Sequence, residues 1–236
     1  MQRYFVKGKD KNNNYIFEDS DLHHIKNVMR YKIGDKIEIV FSGRVYLCTI
    51  KELNPLEVTI DEELIEDNEM PIELSVAIGL VNEQKFDLII QKLTELGVSK
   101  IIPLTMERSI INLEKNRQIK KQERWQKICK EASEQSHRLK IPTVTNIMTL
   151  EELIKEKSNL NLICSLSEET KELNEYLSKS ISSILFVIGP EGGISPKEEQ
   201  LLTNNGFLKT TLSKRVLRVE TAAIYVASII NYIYKG

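Results

Sequence analysis

The sequence predicts an α/β protein in which a helix-covered parallel sheet follows a small β-barrel. From Leu74 onward, continuous apolar runs alternate with stretches of helical spacing, the pattern of strands buried on both faces. Over residues 1–60 the β-prone runs are shorter, closer together and separated by turn signals, which suits a small barrel. A length of 236 residues leaves room for one large or two small domains with ample core. Pro71 marks the boundary, giving domains 1–70 and 71–236.

In the first domain "RYFV", "NYIF", "DKIEIVF", "RVYLCTI" and "LEVTI" are the strand candidates. Asn12-Asn13-Asn14, Gly34-Asp35, Ser42-Gly43 and Asn54-Pro55 supply turns between them. "DSDLHHIKNVMR" predicts one or two helical turns, capped by Asp19, Ser20 or Asp21. "DEELIEDNEMPI" carries six acids from Asp61 to Glu69 with no basic partner and reads as a strand end running into a linker.

In the second domain "LSVAIGLV", "SKIIPLT", "LNLICSL", "SSILFVIG" and "FLKTTLS" are strand candidates. Helical spacing covers "QKFDLIIQKLTELG", with Gly97 as its C-terminal cap, and a long polar stretch near 116–139. Further helices are expected near 150–157, 168–179, 196–205 and 219–234. In such sheets ligands bind beyond the carboxyl ends of the strands.

Composition narrows the function classes. Hydrophobic content of 41% and charged content of 28% are ordinary for a soluble globular protein, and the net charge of −1 gives no global nucleic-acid footprint. Cys48, Cys129 and Cys164 form no C-x-x-C pair, and the three histidines assemble no metal site, so neither a disulfide frame nor a metal is expected. The start lacks an apolar signal region and no apolar run is long enough to span a bilayer, which points to the cytoplasm.

Three stretches carry chemistry. "IGPEGGISPKEE" is a glycine-rich turn between strand and helix, usually a phosphate cradle. Here its centre is Glu191, no Lys or Arg lies among the glycines, and Glu198 and Glu199 open the next helix. Those acids would repel a phosphate, so a ligand neutral or cationic at its reactive end fits better. Part of the loop is structural: Ser195 to Glu198 reads as a capping box with proline at the first helical position. In "TLSKRVLRVETAAIYVASIINYIY" a strand end passes through the basic turn Lys214–Arg218 into a helix with Glu220 in its first turn. That helix is apolar nearly all round and must be buried, in the sheet's cover or in a subunit interface. Three cations in five residues make RNA or another polyanion a competing partner. Around "ERWQKICKEASEQSHRLKIPTV", residues 107–140 hold ten Lys or Arg against five Glu, with Trp125, Ile128, Cys129 and Ala132 on one helix face.

Together these stretches resemble the SPOUT class of S-adenosylmethionine-dependent RNA methyltransferases, and within it the 16S ribosomal RNA (uracil-N3)-methyltransferases of the ribosomal small-subunit methyltransferase E family. The resemblance rests on "RYFV", "HHIKNVMRYKIGDKIEI", "QKLTELGVSKIIPLTMERS", "ERWQKICKEASEQSHRLKIP", "IGPEGGIS" and "LSKRVLRVETAAIYV", in family order over nearly the whole chain. Ser213 stands where the family usually has glycine.

The resemblance implies a PUA-like barrel for the first domain and a deep trefoil knot in the second, assembled as a homodimer. It implies that S-adenosyl-L-methionine lies among three loops: Leu166 and Ser167; Ile188, Gly189, Pro190, Gly192 and Gly193; and Leu212, Ser213, Val216 and Leu217. Uracil N3 carries a proton, so the reaction needs a base or stabilisation of the uracil anion. Arg218 is the candidate for the anion, Glu191 or Glu220 for the proton. Arg3, His24, Arg30 and Arg44 would grip 16S rRNA or the small ribosomal subunit, and Arg108 and Arg138 would line the substrate side. Two other readings stay open: a SPOUT enzyme acting on another RNA such as tRNA, and a non-catalytic RNA-binding assembly factor.

Overall fold

The structure, a computed structural model, describes residues 1–109, 115–167 and 170–234. The chain forms two compact units, Met1–Glu69 with Ser133–Lys140, and Met70–Ala132 with Ile141–Gly236.

The first unit contains strands β1 (Arg3–Phe5), β2 (Lys36–Phe41), β3 (Arg44–Leu53) and β4 (Leu56–Leu64), which form one sheet in that order. β1 runs parallel to β2, and the other pairs are antiparallel. Alternate residues of β2 and β3 point inward, so Ile37, Ile39, Cys48 and Ile50 pack with Tyr4 and Ile25 in the core. "NYIF" forms no regular strand; Tyr15 bridges Lys9, and the Ile16 amide donates to the Gly8 carbonyl at 2.9 Å.

Helix α1 (Asp19–His23) continues into a π-helical turn, His24–Val28. Its cap is Glu18, one residue before the predicted candidates, because Glu18 keeps an extended backbone and closes a capping box with Asp21. The acidic stretch does find basic partners. Asp61 pairs with Lys36, Glu63 with Arg44, Glu66 with Arg3 and Glu69 with Arg138. The separations run from 19 to 69 residues, so the pairs were invisible in the local sequence.

The second unit holds a seven-stranded, wholly parallel sheet of order β7-β6-β5-β10-β8-β11-β9. Its elements in chain order are β5 (Glu73–Gly79), α2 (Glu83–Glu95), β6 (Lys100–Leu104), α3 (Lys115–Gln135), β7 (Thr143–Val144), α4 (Leu150–Leu153), β8 (Leu160–Cys164), β9 (Lys171–Glu172), β10 (Ser183–Ile188), α5 (Pro196–Asn204), β11 (Leu208–Thr211) and α6 (Val219–Tyr234). The last three residues of α3 belong to the first unit.

The strand alternation sorts the core. Val76, Ile78, Ile184, Phe186 and Ile188 face one layer with residues of α2 and α6, while Ala77, Leu185 and Val187 face another with α4 and α5. Both faces are dry, which is why these strands read as unbroken apolar runs. Gly97 takes a positive φ of 86° just past α2, as a C-terminal cap requires.

The helix predicted near 168–179 does not form over the described residues; Glu168 and Glu169 lie outside them. β9 pairs there with β11, followed by a 3-10 turn at Leu173–Glu175, and the Tyr176 hydroxyl donates to the Lys209 carbonyl at 2.9 Å. Sheet pairing overrides the local helical pattern. No helix among the described residues is long and apolar enough to cross a membrane.

Candidate functional site

Because the strands are parallel, β8, β10 and β11 end at the same edge of the sheet. The loops that leave them surround a cavity of about 810 Å³, within the range of small-molecule sites. Leu166 and Ser167 line it after β8; Ile188, Gly189, Pro190, Gly192 and Gly193 after β10; Leu212, Ser213, Val216 and Leu217 after β11. Glu191, Arg218 and Glu220 line the same space. Residues from three distant stretches of sequence thus meet in one cavity of the second unit.

The glycine loop is held by close approaches. A Cβ added to Gly79, at the end of β5, would lie 2.5 Å from the ring nitrogen of Pro190, so this strand end must be glycine for the loop to sit there. The Gly193 amide donates to the Pro190 carbonyl at 2.8 Å, and Gly193 takes the positive φ of 74° that closes the turn. Gly192 allows Arg108 to pack over the loop, where the guanidinium donates to the Gly192 carbonyl at 3.0 Å. Behind the loop, Ser195 caps α5 in the predicted box with Glu198, and Glu198 also accepts the Glu107 amide at 2.7 Å. Ser213 needs no glycine conformation: its hydroxyl accepts the Arg215 amide at 3.1 Å and shapes the basic turn.

The electrostatics differ from the sequence argument against a phosphate. None of the three acids invoked there stands bare. Glu191 is paired with Lys85 from the first turn of α2, Glu199 with Lys209 at 2.7 Å, and Glu198 is buried in its cap. Arg108, Arg215 and Arg218 also line the cavity. The informative carboxylate is Glu220, a cavity-lining residue whose Oε2 is buried without a hydrogen-bond partner among the described residues. A buried orphan acceptor of this kind calls for a donor from a ligand or water.

Sequence reading missed Lys85 and Ser165, and it named Glu199 and the turn holding Arg215 without assigning either a place in the site. Lys85 was within reach of inference, since it opens the helix that follows β5 at the same sheet edge. The Ser165 hydroxyl donates to Glu199 at 3.0 Å and accepts the Ser167 amide at 3.1 Å, bracing the loop after β8 against α5. Cys164 also lines the cavity, but burial pushes its thiol up to about 11, which leaves it unreactive near neutrality.

The expected RNA-gripping residues do not stay together. Arg3 has no exposed surface; its guanidinium donates to Glu38 at 2.9 Å, to both oxygens of Glu66 and to the His137 carbonyl at 2.7 Å. Arg138 is 4% exposed and bonded to Glu69 at 2.7 Å. Both are structural links of the first unit rather than phosphate contacts, because their donors are already used in burial. Burial acts to raise the Glu69 carboxyl, but the hydrogen bond and charge of Arg138, with two backbone amides, win and hold it below the ordinary glutamate value. His24 is half-buried against the Tyr4 hydroxyl at 2.9 Å. Arg30 is exposed, in the left-handed conformation, and Arg44 is exposed beside Glu63. Arg108 belongs to the cavity.

The sequence and fold resemble those of known proteins. Residues 68–231 match the family model of the RNA methyltransferase domain, and residues 17–63 that of the RNA methyltransferase PUA domain. The ribosomal RNA small subunit methyltransferase E of Bacillus subtilis is 34% identical over 98% of this chain and 96% of its own length. The chain belongs to the ribosomal RNA small subunit methyltransferase E family. A second member of that family, from Synechocystis, is 32% identical over 90% of this chain and 71% of its own. Among solved structures, the ribosomal RNA small subunit methyltransferase E of Neisseria gonorrhoeae, bound to S-adenosyl methionine, superposes with a TM-score of 0.88 at 29% identity, over 99% of this chain and 98% of that one. A Legionella pneumophila methyltransferase with the same bound cofactor gives 0.90 at 28% identity, again over 99% and 98%.

Proposed function

We propose that this protein uses S-adenosylmethionine to methylate N3 of a uracil in 16S ribosomal RNA. The observation that carries the reading is the cavity at the ends of β8, β10 and β11, with Glu220 and its orphan carboxylate oxygen in the lining, in a chain of this family. The fit to the cofactor is chemical. The ligand is a cation rich in hydroxyl and ammonium donors, and Glu220 presents a buried acceptor that lacks one. The Ile188–Gly193 loop, with Leu212, Ser213, Val216 and Leu217, lines the cavity on the side where an adenine edge and ribose would bind. S-adenosylmethionine supplies a methyl group on a cationic sulfonium, which leaves as a neutral thioether.

The work left to the protein is orientation and charge. Holding uracil N3 in line with the transferred methyl group removes most of the entropic barrier. Glu191, partly exposed at the cavity, accepts the N3 proton, while Glu220, also in the lining, serves the cofactor side. Arg218 stabilises the negative charge that spreads over the ring as the proton leaves.

The knot is part of the same proposal. β11 lies beside β8 although β10 intervenes in sequence, an order that a knotted chain of this kind would have. A homodimer accounts for α6: Tyr225, Tyr232 and Ile233 are 44%, 70% and 46% exposed, and a second copy would cover them. The unit of residues 1–69 acts as a PUA-like RNA-binding domain through Arg30, Arg44 and the edge of His24, and a ribosomal RNA substrate places the enzyme in the cytoplasm. The test is direct. Purified protein, labelled S-adenosylmethionine and small ribosomal subunits should give 3-methyluridine at one site of 16S rRNA by nucleoside mass spectrometry. Label on another base, or none, would refute the assignment.

A further inference from the structure

Lys85 and Glu191 form a contact pair at the cavity, and the proposed reaction as described so far uses only the glutamate. Lys85 Nζ touches Glu191 Oε1, and the two side chains keep 31% and 38% of their surface exposed, so a ligand entering the cavity meets both. Each is anchored through its backbone. The Lys85 amide donates to the N-cap Asn82 at 3.0 Å, and Glu191 sits between Pro190 and Gly192 in the loop fixed by Gly79 and Arg108. The pair therefore presents an obligate donor and an obligate acceptor side by side, on two rigid elements. An ammonium can only donate and a carboxylate can only accept.

We infer that Lys85 and Glu191 together read the Watson–Crick edge of the target uracil, with Lys85 as the specificity-determining residue. That edge carries a carbonyl, an N–H and a second carbonyl as neighbours. Glu191 accepts from N3–H, and Lys85 donates to one of the flanking carbonyls. Cytosine offers a bare lone pair at N3, which would face the carboxylate and be repelled, so the pair selects uracil by its hydrogen-bond pattern. The same contacts serve the reaction. The N3 proton passes to the Glu191 carboxylate, the electron pair left on N3 takes the methyl group, and Lys85 keeps its own proton. Negative charge delocalises from N3 onto the carbonyl that Lys85 touches, so the hydrogen bond strengthens as the transition state is approached.

This inference rests on the uracil-N3 reading, and the experiment separates the two. Small ribosomal subunits are reconstituted with 16S rRNA carrying uridine, 2-thiouridine or 4-thiouridine at the methylated position, since sulfur is a poor hydrogen-bond acceptor. Single-turnover methylation is measured for the native protein and for Lys85→Met, which keeps the aliphatic stem. The native protein should lose rate on one of the two thio substrates relative to uridine. In Lys85→Met that penalty should shrink by roughly tenfold, the scale of one charged hydrogen bond, because the donor it depends on is gone. Taking the ratio within each protein cancels the different intrinsic acidity of the thio bases. Equal penalties in native and variant protein at both positions overturn the pairing while leaving the function intact. If Lys85→Met does not fold, Lys85→Ala decides by the same ratio. Native protein that leaves the uridine substrate unmethylated at N3 takes down both readings.

Discussion

Replacing Gly79 with alanine perturbs the cavity through a residue that does not line it. The new Cβ would stand 2.5 Å from the backbone nitrogen and from Cδ of Pro190, where ordinary contacts begin at 3.4 Å. The shortfall is 3.4 − 2.5 = 0.9 Å, and it falls on backbone and a ring, neither of which can rotate away. β5 is locked in the sheet between β6 and β10, so the loop must move instead. Overpacking of this size costs about 1–3 kcal/mol of stability. A displacement near 1 Å at a site that works by orientation costs roughly 100-fold in rate. Chemical denaturation should therefore report a folded, mildly destabilised protein. Calorimetry should report weakened S-adenosylmethionine binding, and single-turnover methylation a fall near two orders of magnitude. Native affinity and rate in a folded Gly79→Ala protein would refute the claim that the Pro190 loop builds the site.

Other perturbations separate the remaining roles. Arg218→Ala should lower the single-turnover rate by about 100-fold, the scale of losing one electrostatic stabiliser, with RNA affinity largely kept; an unchanged rate would remove its catalytic role. Arg30→Ala should weaken rRNA binding and flatten its salt dependence by about one phosphate contact. Arg3→Ala should instead destabilise the fold by about 3–5 kcal/mol, because Glu38 and Glu66 lose a buried partner, so comparing denaturation with RNA titration sorts the two arginines. Tyr232→Glu, on the exposed stripe of α6, should weaken self-association as read by sedimentation, and a native protein that is an active monomer would end the dimer proposal. Glu69 is held below its ordinary value of 4.5, so its contribution to stability is present above that value and lost as pH falls below it through the depressed one. In Glu69→Gln this acid-side loss should be smaller in a pH series of denaturation curves.

The sequence by itself determined the parallel sheet, the cap of α5, the burial of α6 and the loops after β10 and β11, while the loop after β8 came from the family resemblance. Each is a local property. A strand buried on both faces must be apolar throughout, a helix start needs its cap, and in a parallel sheet every strand ends at the same edge, so loops after strands can be gathered from pattern alone. What decided the partners was tertiary. Four of the six acids from Asp61 to Glu69 read as an unpaired linker until Lys36, Arg44, Arg3 and Arg138 came to them from elsewhere in the chain. The same closure took Arg3 and Arg138 out of the RNA-binding set, because a guanidinium buried among carboxylates cannot be told in sequence from one that awaits a phosphate. Lys85 entered the site only when α2 placed it against Glu191, over a separation of 106 residues. The helix predicted near 168–179 gave way over the described residues because β11 offered Lys171 and Glu172 a strand to pair with. Ion pairs and sheet edges depend on where distant residues meet, and one-dimensional periodicity carries no information about that.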